Sequence, residues 1–199
     1  MMRKFCLLLA IMCFTFMDIQ AHPHVFIKTS ISFVFDMDGN VKGFKSKWVF
    51  DENFSATIKL DYDKNHDGEF SAEESEAIEA EAFSNLKDVN YFTEIVLDGE
   101  KHKIQRVSVF SASLENSKVV YNFFVPFNIN TETVEKKVKV LIYDNSYYID
   151  VSPIKEDFVS VENGFNIESS FIKYDDIKNK YYFDQIFPVA IEFKFKKMW

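Results

Sequence analysis

Asp63-Lys64-Asn65-His66-Asp67-Gly68-Glu69-Phe70-Ser71-Ala72-Glu73-Glu74 is the stretch that decides how this chain is to be read. Oxygen-bearing residues stand at its first, third, fifth, ninth and twelfth positions, and a glycine at the sixth. That spacing is the twelve-residue EF-hand pattern. Calcium is a hard cation that takes six to eight oxygens. Asp63, Asn65 and Asp67 would supply them at alternate positions, Glu69 by its backbone carbonyl, Ser71 directly or through water, and Glu74 with both carboxylate oxygens. Gly68 permits the sharp turn between them. His66, at the fourth position, points outward.

The loop is flanked by helical periodicity. Before it, Asp51 is a reasonable N-cap, and Phe54, Ile58 and Tyr62 recur every four residues. After it, Ile78, Ala82 and Leu86 repeat the spacing. Helix, loop and helix therefore occupy about residues 52–88. One loop without a second leaves the Phe54/Ile58 and Ile78/Leu86 faces to pack on another surface, so calcium is read as a clip that locks two helices inside a larger fold.

Further out the period changes from four to two. From His24 to Phe35, Val25, Ile27, Thr29, Ile31, Phe33 and Phe35 alternate with polar residues, the mark of a half-buried strand. Asp36 to Asn40 form a turn, and Val41 to Phe50 run back with Phe44, Trp48 and Phe50 on one face. Beyond Tyr91, strand-like runs cover Thr93 to Leu97, Ile104 to Phe110, Lys118 to Val125, Val138 to Tyr143, Tyr148 to Val151 and Phe165 to Ile172. The expected class is α+β, a mainly antiparallel, sandwich-like β-sheet domain over 22–172 with the helix-loop-helix inserted. The tail, 173–199, is left between helix and strand and is expected to pack on the same domain.

Residues 1–21 have the layout of a secretory signal. Arg3 and Lys4 precede an apolar run, Phe5 to Met17, of about 13 residues, which is short for a bilayer span of roughly 20. Cleavage after Ala21 gives an exported chain with no membrane span. Cys6 and Cys13 go with the signal, so no disulfide or thiolate site is expected. The formal charge of −8 becomes −9 once Arg3, Lys4 and Asp18 are removed. Nucleic acid is thereby disfavoured as a partner and cations are favoured.

The exported chain would begin His22-Pro23-His24, two of the chain's 4 histidines beside a free amine. Such nitrogens suit zinc, nickel, cobalt and copper alike. Pro23 lacks the amide proton that a square four-nitrogen chelate would need, while capture by the amine and ring of His22, with His24 as a further nitrogen, stays open. GxSxG, HExxH and a phosphate-cradling glycine loop are all missing, so an enzyme is not expected.

Ala21-His22-Pro23-His24-Val25-Phe26, Trp48-Val49-Phe50-Asp51-Glu52, the calcium loop, Tyr91-Phe92-Thr93 and Tyr143-Asp144-Asn145-Ser146-Tyr147-Tyr148 together resemble the DUF1007 family, from about His22 to Val151. The resemblance implies a periplasmic metal-binding accessory of NicO-type nickel, cobalt or zinc permeases in the inner membrane. It also implies that His22 and His24 serve the transition metal and the loop the second cation. Trp48, Asp51 and Asp144 fall on the same motifs; Trp48 is read as core and Asp51 as a cap, and Asp144, in a turn between two strands, is left open between a ligand and a residue that fixes the turn. Two other classes stay open. One is a calcium-stabilised envelope module with no transition-metal role, and the other a copper enzyme with an N-terminal histidine site.

Overall fold

The structure is a computed structural model, and it describes residues 23–154, 159–164 and 166–198. The expected signal, His22 and Phe165 lie outside the described residues. Among the described residues the strands, in chain order, are β1 Val25–Phe35, β2 Val41–Phe50, β3 Thr93–Leu97, β4 Glu100–His102, β5 Ser108–Glu115, β6 Lys118–Ile129, β7 Lys136–Ile142, β8 Ile149–Pro153, β9 Val159–Glu162, β10 Ile167–Asp175 and β11 Val189–Lys197. Helices α1, Glu52–Tyr62, and α2, Ala72–Glu81, fall between β2 and β3, followed by 3-10 turns over Phe83–Phe92.

Two sheets result. The six-stranded sheet runs β5-β6-β2-β1-β8, with β9 also on β1, and the five-stranded sheet runs β10-β11-β7-β3-β4. Most pairings are antiparallel, in keeping with the expected class. The exceptions are β8 and β9, which pair with β1 in parallel, one after the other along the same edge. Period-two patterning reports which face is buried and carries nothing about strand direction, so this mixed edge is invisible in sequence.

Aromatic rings join the sheets. Phe33 of β1 stacks on Phe193 of β11 with centroids 4.1 Å apart, and Phe35 meets Phe195 edge-on at 5.8 Å. Trp48 is fully buried and packs edge-on against Phe123 at 5.0 Å. Its place in the core follows from the alternation of β2. Gly43 shows how closely β2 and β6 approach. A side chain there would meet the Val125 carbonyl oxygen at 2.1 Å, and its φ of +140° is one that side chains rarely adopt.

The helix-loop-helix seals one side of the six-stranded sheet. Ile78 is wholly buried and Ile58 nearly so, and Phe54 stacks on Phe50 at 4.5 Å. Two serines fasten it. The Val119 N–H of β6 donates to Ser55 Oγ at 2.9 Å, and the Ala112 N–H of edge strand β5 donates to Ser75 Oγ at 2.8 Å. Capping an edge strand's amide with a helix side chain also removes a site for unwanted strand addition.

Two segments depart from the expected pattern. The run Ile104 to Phe110 is not one strand, because here the chain passes from β4 in one sheet to β5 in the other, with the Ile104 N–H held by Asn90 Oδ1 at 3.1 Å and its side chain buried on the way. The tail resolves to strand. In β11, Ala190, Ile191, Phe193 and Phe195 are buried, and Lys194 and Glu192 are not. Charged residues between the aromatics obscured that alternation.

Candidate metal centre

The loop begins where α1 stops. The Asp63 N–H closes the last turn on the Lys59 carbonyl at 3.0 Å, and its carboxylate is completely buried. Two loop amides converge on it: the Asp67 N–H donates to Oδ1 and the Gly68 N–H to Oδ2, each at 3.1 Å. Gly68 sits at φ +85°, the left-handed conformation its position in the spacing demands. Lys59 Nζ stands 3.9 Å from Oδ2, too far to be more than a weak supporting charge.

The rest of the loop is knitted locally. The Asp67 N–H also reaches Asn65 Oδ1 at 3.0 Å, the Asn65 amide donates to Asp67 Oδ2 at 2.7 Å, and the Glu69 N–H donates to Asp67 Oδ1 at 2.9 Å. Glu74 reaches back across the loop and accepts from the Lys64 N–H at 2.7 Å and the Ser71 N–H at 2.9 Å. Those amides, Ser71's first, hold its carboxyl below the usual range. Ser71 caps α2 by accepting from the Glu74 N–H at 3.2 Å, which completes a capping box. Ser71 and Glu74 are thus accounted for as helix-capping residues as well as candidate ligands. Phe70 is half-buried against the core, and His66 is exposed.

Every predicted loop donor is an oxygen, and the backbone curls round a buried carboxylate, so the residues present fit a hard cation. Their side chains are nonetheless engaged with one another. Among the described residues, no three His, Cys, Asp or Glu side chains are gathered as a metal cluster.

The second predicted locus is represented by His24, since His22 lies outside the described residues. His24 is exposed at the start of β1. Its N–H donates to the Tyr148 carbonyl at 2.8 Å, and its ring lies 4.8 Å from that of Tyr148. The Tyr148 backbone is set by a tight turn built on Asp144. That buried carboxylate accepts from the Ser146 N–H at 2.9 Å, the Ser146 hydroxyl at 2.7 Å and the Ile149 N–H at 3.1 Å. Asp51 caps α1 through the Asn53 and Phe54 amides, and its other oxygen takes the Phe26 N–H at 2.8 Å. The last bond ties the helix start to the opening strand.

A family model described as "Protein of unknown function (DUF1007)" matches residues 7–173. The chain belongs to the DUF1007 family. Its motif residues Trp48, Asp51 and Asp144 serve as core, cap and turn. A curated relative, "Uncharacterized 15.5 kDa protein in trpE 3'region" of Spirochaeta aurantia, is 29% identical over 92 residues, or 46% of this chain. The chain spans 65% of that relative's length. Among the described residues of this DUF1007 member, no helix is long and apolar enough to cross a membrane. Sequence reading missed one further group of polar residues, Glu94, Lys101 and Tyr143 beside the Tyr91-Phe92-Thr93 motif, because it is assembled from β3, β4 and the residue that follows β7.

Proposed function

We propose that this DUF1007 protein is an exported, periplasmic metal-binding protein with two cation sites of different character. The first is an EF-hand. Calcium would be held by the side chains of Asp63, Asn65, Asp67 and Glu74, the Glu69 carbonyl and Ser71, directly or through water. When bound it supplies the positive charge that offsets this cluster of oxygens and locks α1 to α2. The observation that carries the reading is the fully buried Asp63 carboxylate at the head of a loop whose predicted donors are all oxygens.

The second site is the terminus. His22 and His24 would capture zinc, nickel or cobalt and present it to an inner-membrane permease. An exposed His24 whose backbone is pinned to Tyr148, beside a terminus that contributes further nitrogens, supports exchange rather than permanent storage. A second reading is a calcium-stiffened envelope module with no transition-metal role, in which His24 serves to fasten the start of β1 to Tyr148 through its N–H and its ring.

Calorimetric titration of the processed protein separates them. The expected result is calcium binding with a dissociation constant on the order of 10⁻⁴ to 10⁻³ M, as for extracellular sites. Zinc, nickel or cobalt should bind below about 10 μM and lose that affinity in His22→Ala and His24→Ala. Calcium binding without any transition-metal binding selects the second reading, and no binding of either class overturns both.

A further inference from the structure

Away from both loci, a cleft of about 320 Å³ opens between the 3-10 turns, β3, β4 and the end of β7. Its wall includes an unusual piece of backbone. Asn90, Tyr91 and Phe92 are consecutive non-glycine residues with φ of +53°, +51° and +52°. A left-handed conformation is strained for a residue with a side chain, and such strain persists only where the surroundings impose it. Here they do. The Asn90 amide bridges the Thr93 carbonyl and the Ile104 N–H, Thr93 Oγ1 donates to the Tyr91 carbonyl at 2.8 Å, and the Tyr143 N–H donates to the Phe92 carbonyl at 2.8 Å.

The strained turn leads directly into Glu94, which lines the cleft. Its two oxygens are unequal. Oε2 accepts from Lys101 Nζ at 2.8 Å and from the Tyr143 hydroxyl at 3.4 Å, whereas Oε1 is buried without a hydrogen-bond partner. The Glu94 side chain is partly buried, 19% exposed, and an oxygen left without a partner there favours a further donor. Burial first, and then the Glu94 charge, push the Tyr143 hydroxyl up, so it stays a donor.

Lys101 shows which chemistry this carboxylate accepts, an ammonium. The Lys101 side chain is 68% exposed, and ion pairs with such exposed partners contribute little, so it can yield to a ligand. On the opposite side of the charge balance, the cleft is lined by His102 and Lys103, and Lys103 makes no ion pair among the described residues. Val89 and Phe92 supply apolar wall. An acceptor for an ammonium and a cation for a carboxylate thus share one small cleft, near the lower end of the roughly 300–1,000 Å³ typical of ligand sites.

We propose that this cleft binds a small zwitterion of the amino-acid class, with its ammonium on Glu94 and its carboxylate on Lys103. Neither metal site is required for this. The test is equilibrium binding of L-alanine and L-glutamate to the full processed chain, with ethylamine and acetate as probes carrying one charge each. At least one amino acid should bind about 10-fold or more tighter than either single-charge probe, and Glu94→Gln and Lys103→Met should each weaken it at least about 10-fold. Lys103 is exposed, so its variant remains informative even where Glu94→Gln unfolds. The proposal is overturned if neither amino acid binds at roughly 10 mM, if ethylamine or acetate binds as tightly, or if Lys103→Met binds like the parent.

Discussion

The Asp63 loop and the Asp144 turn solve the same problem with different surroundings. Each buries an aspartate, Asp63 completely and Asp144 to 8% exposure, and each satisfies it chiefly with backbone N–H groups from the following residues. What differs is the company. After Asp63 come Asn65, Asp67, Glu69 and Glu74, further oxygens at regular spacing. After Asp144 come Ser146, whose hydroxyl donates to the carboxylate, and then Tyr147 and Tyr148, with Tyr181 packed 4.9 Å from Tyr143 and 6.1 Å from Tyr147. A buried carboxylate with amides around it is therefore an ordinary turn device. Only a continued supply of oxygens makes it a candidate cation site.

The sharpest way to break that comparison is Asp144→Ala. It leaves the Ser146 and Ile149 amides without partners in a region covered by aromatic rings, and should cost about 2–4 kcal/mol in urea unfolding whether or not calcium is present. Because the turn fixes the Tyr148 carbonyl that holds the His24 N–H, amide exchange at the start of β1 should also accelerate. A calcium-dependent loss would mean that the two aspartates do not play separate roles.

Calcium is the next largest effect, and it should act on Asp63 alone. With a dissociation constant on the order of 10⁻⁴ to 10⁻³ M, 10 mM calcium should stabilise the parent by about 1.4–2.7 kcal/mol. In Asp63→Asn the gain should vanish, while Asp144→Ala keeps it. Thermal unfolding with and without calcium reads both, and an equal gain in Asp63→Asn would remove the loop from consideration as the calcium site.

Sequence carried a good part of this and missed the rest for identifiable reasons. The opening hairpin, the Asp51 cap and the inward placement of Trp48 were legible because alternation and capping are local. The sharp turn at Gly68 was legible because the loop's spacing is contiguous, while cation binding by that loop is a proposal. The parallel edge of β8 and β9 was not, since strand direction leaves no mark on a pattern of period two. Nor was the Glu94 cleft, whose Lys101 comes from β4 and Tyr143 from just past β7, and whose wall is a left-handed turn in Asn90-Tyr91-Phe92, residues with no glycine to announce it.

Asp176 extends the comparison to a third buried aspartate, this time with a charged partner. Lys139 Nζ lies 2.8 Å from Oδ2, the Asn179 amide 3.0 Å from the same oxygen, and the Lys178 N–H 3.1 Å from Oδ1. Burial pushes this carboxyl up, but the Lys139 hydrogen bond, Asn179 and the Lys178 amide outweigh it, so the folded-state value lies below the ordinary one. A depressed carboxyl contributes stability that is complete above the ordinary carboxyl range and is lost as pH falls through the lowered folded value. Asp176→Asn should therefore cost about 1 kcal/mol at neutral pH, keeping the hydrogen bonds that a neutral amide can accept and losing the ion pair. The difference from the parent should shrink in acid, because the parent's own carboxyl is then protonated. Urea titrations of both proteins between neutral and acid pH measure it. A difference that stays constant with pH would mean that Asp176, like Asp144, acts through its hydrogen-bond geometry, and that the nearby ammonium adds nothing.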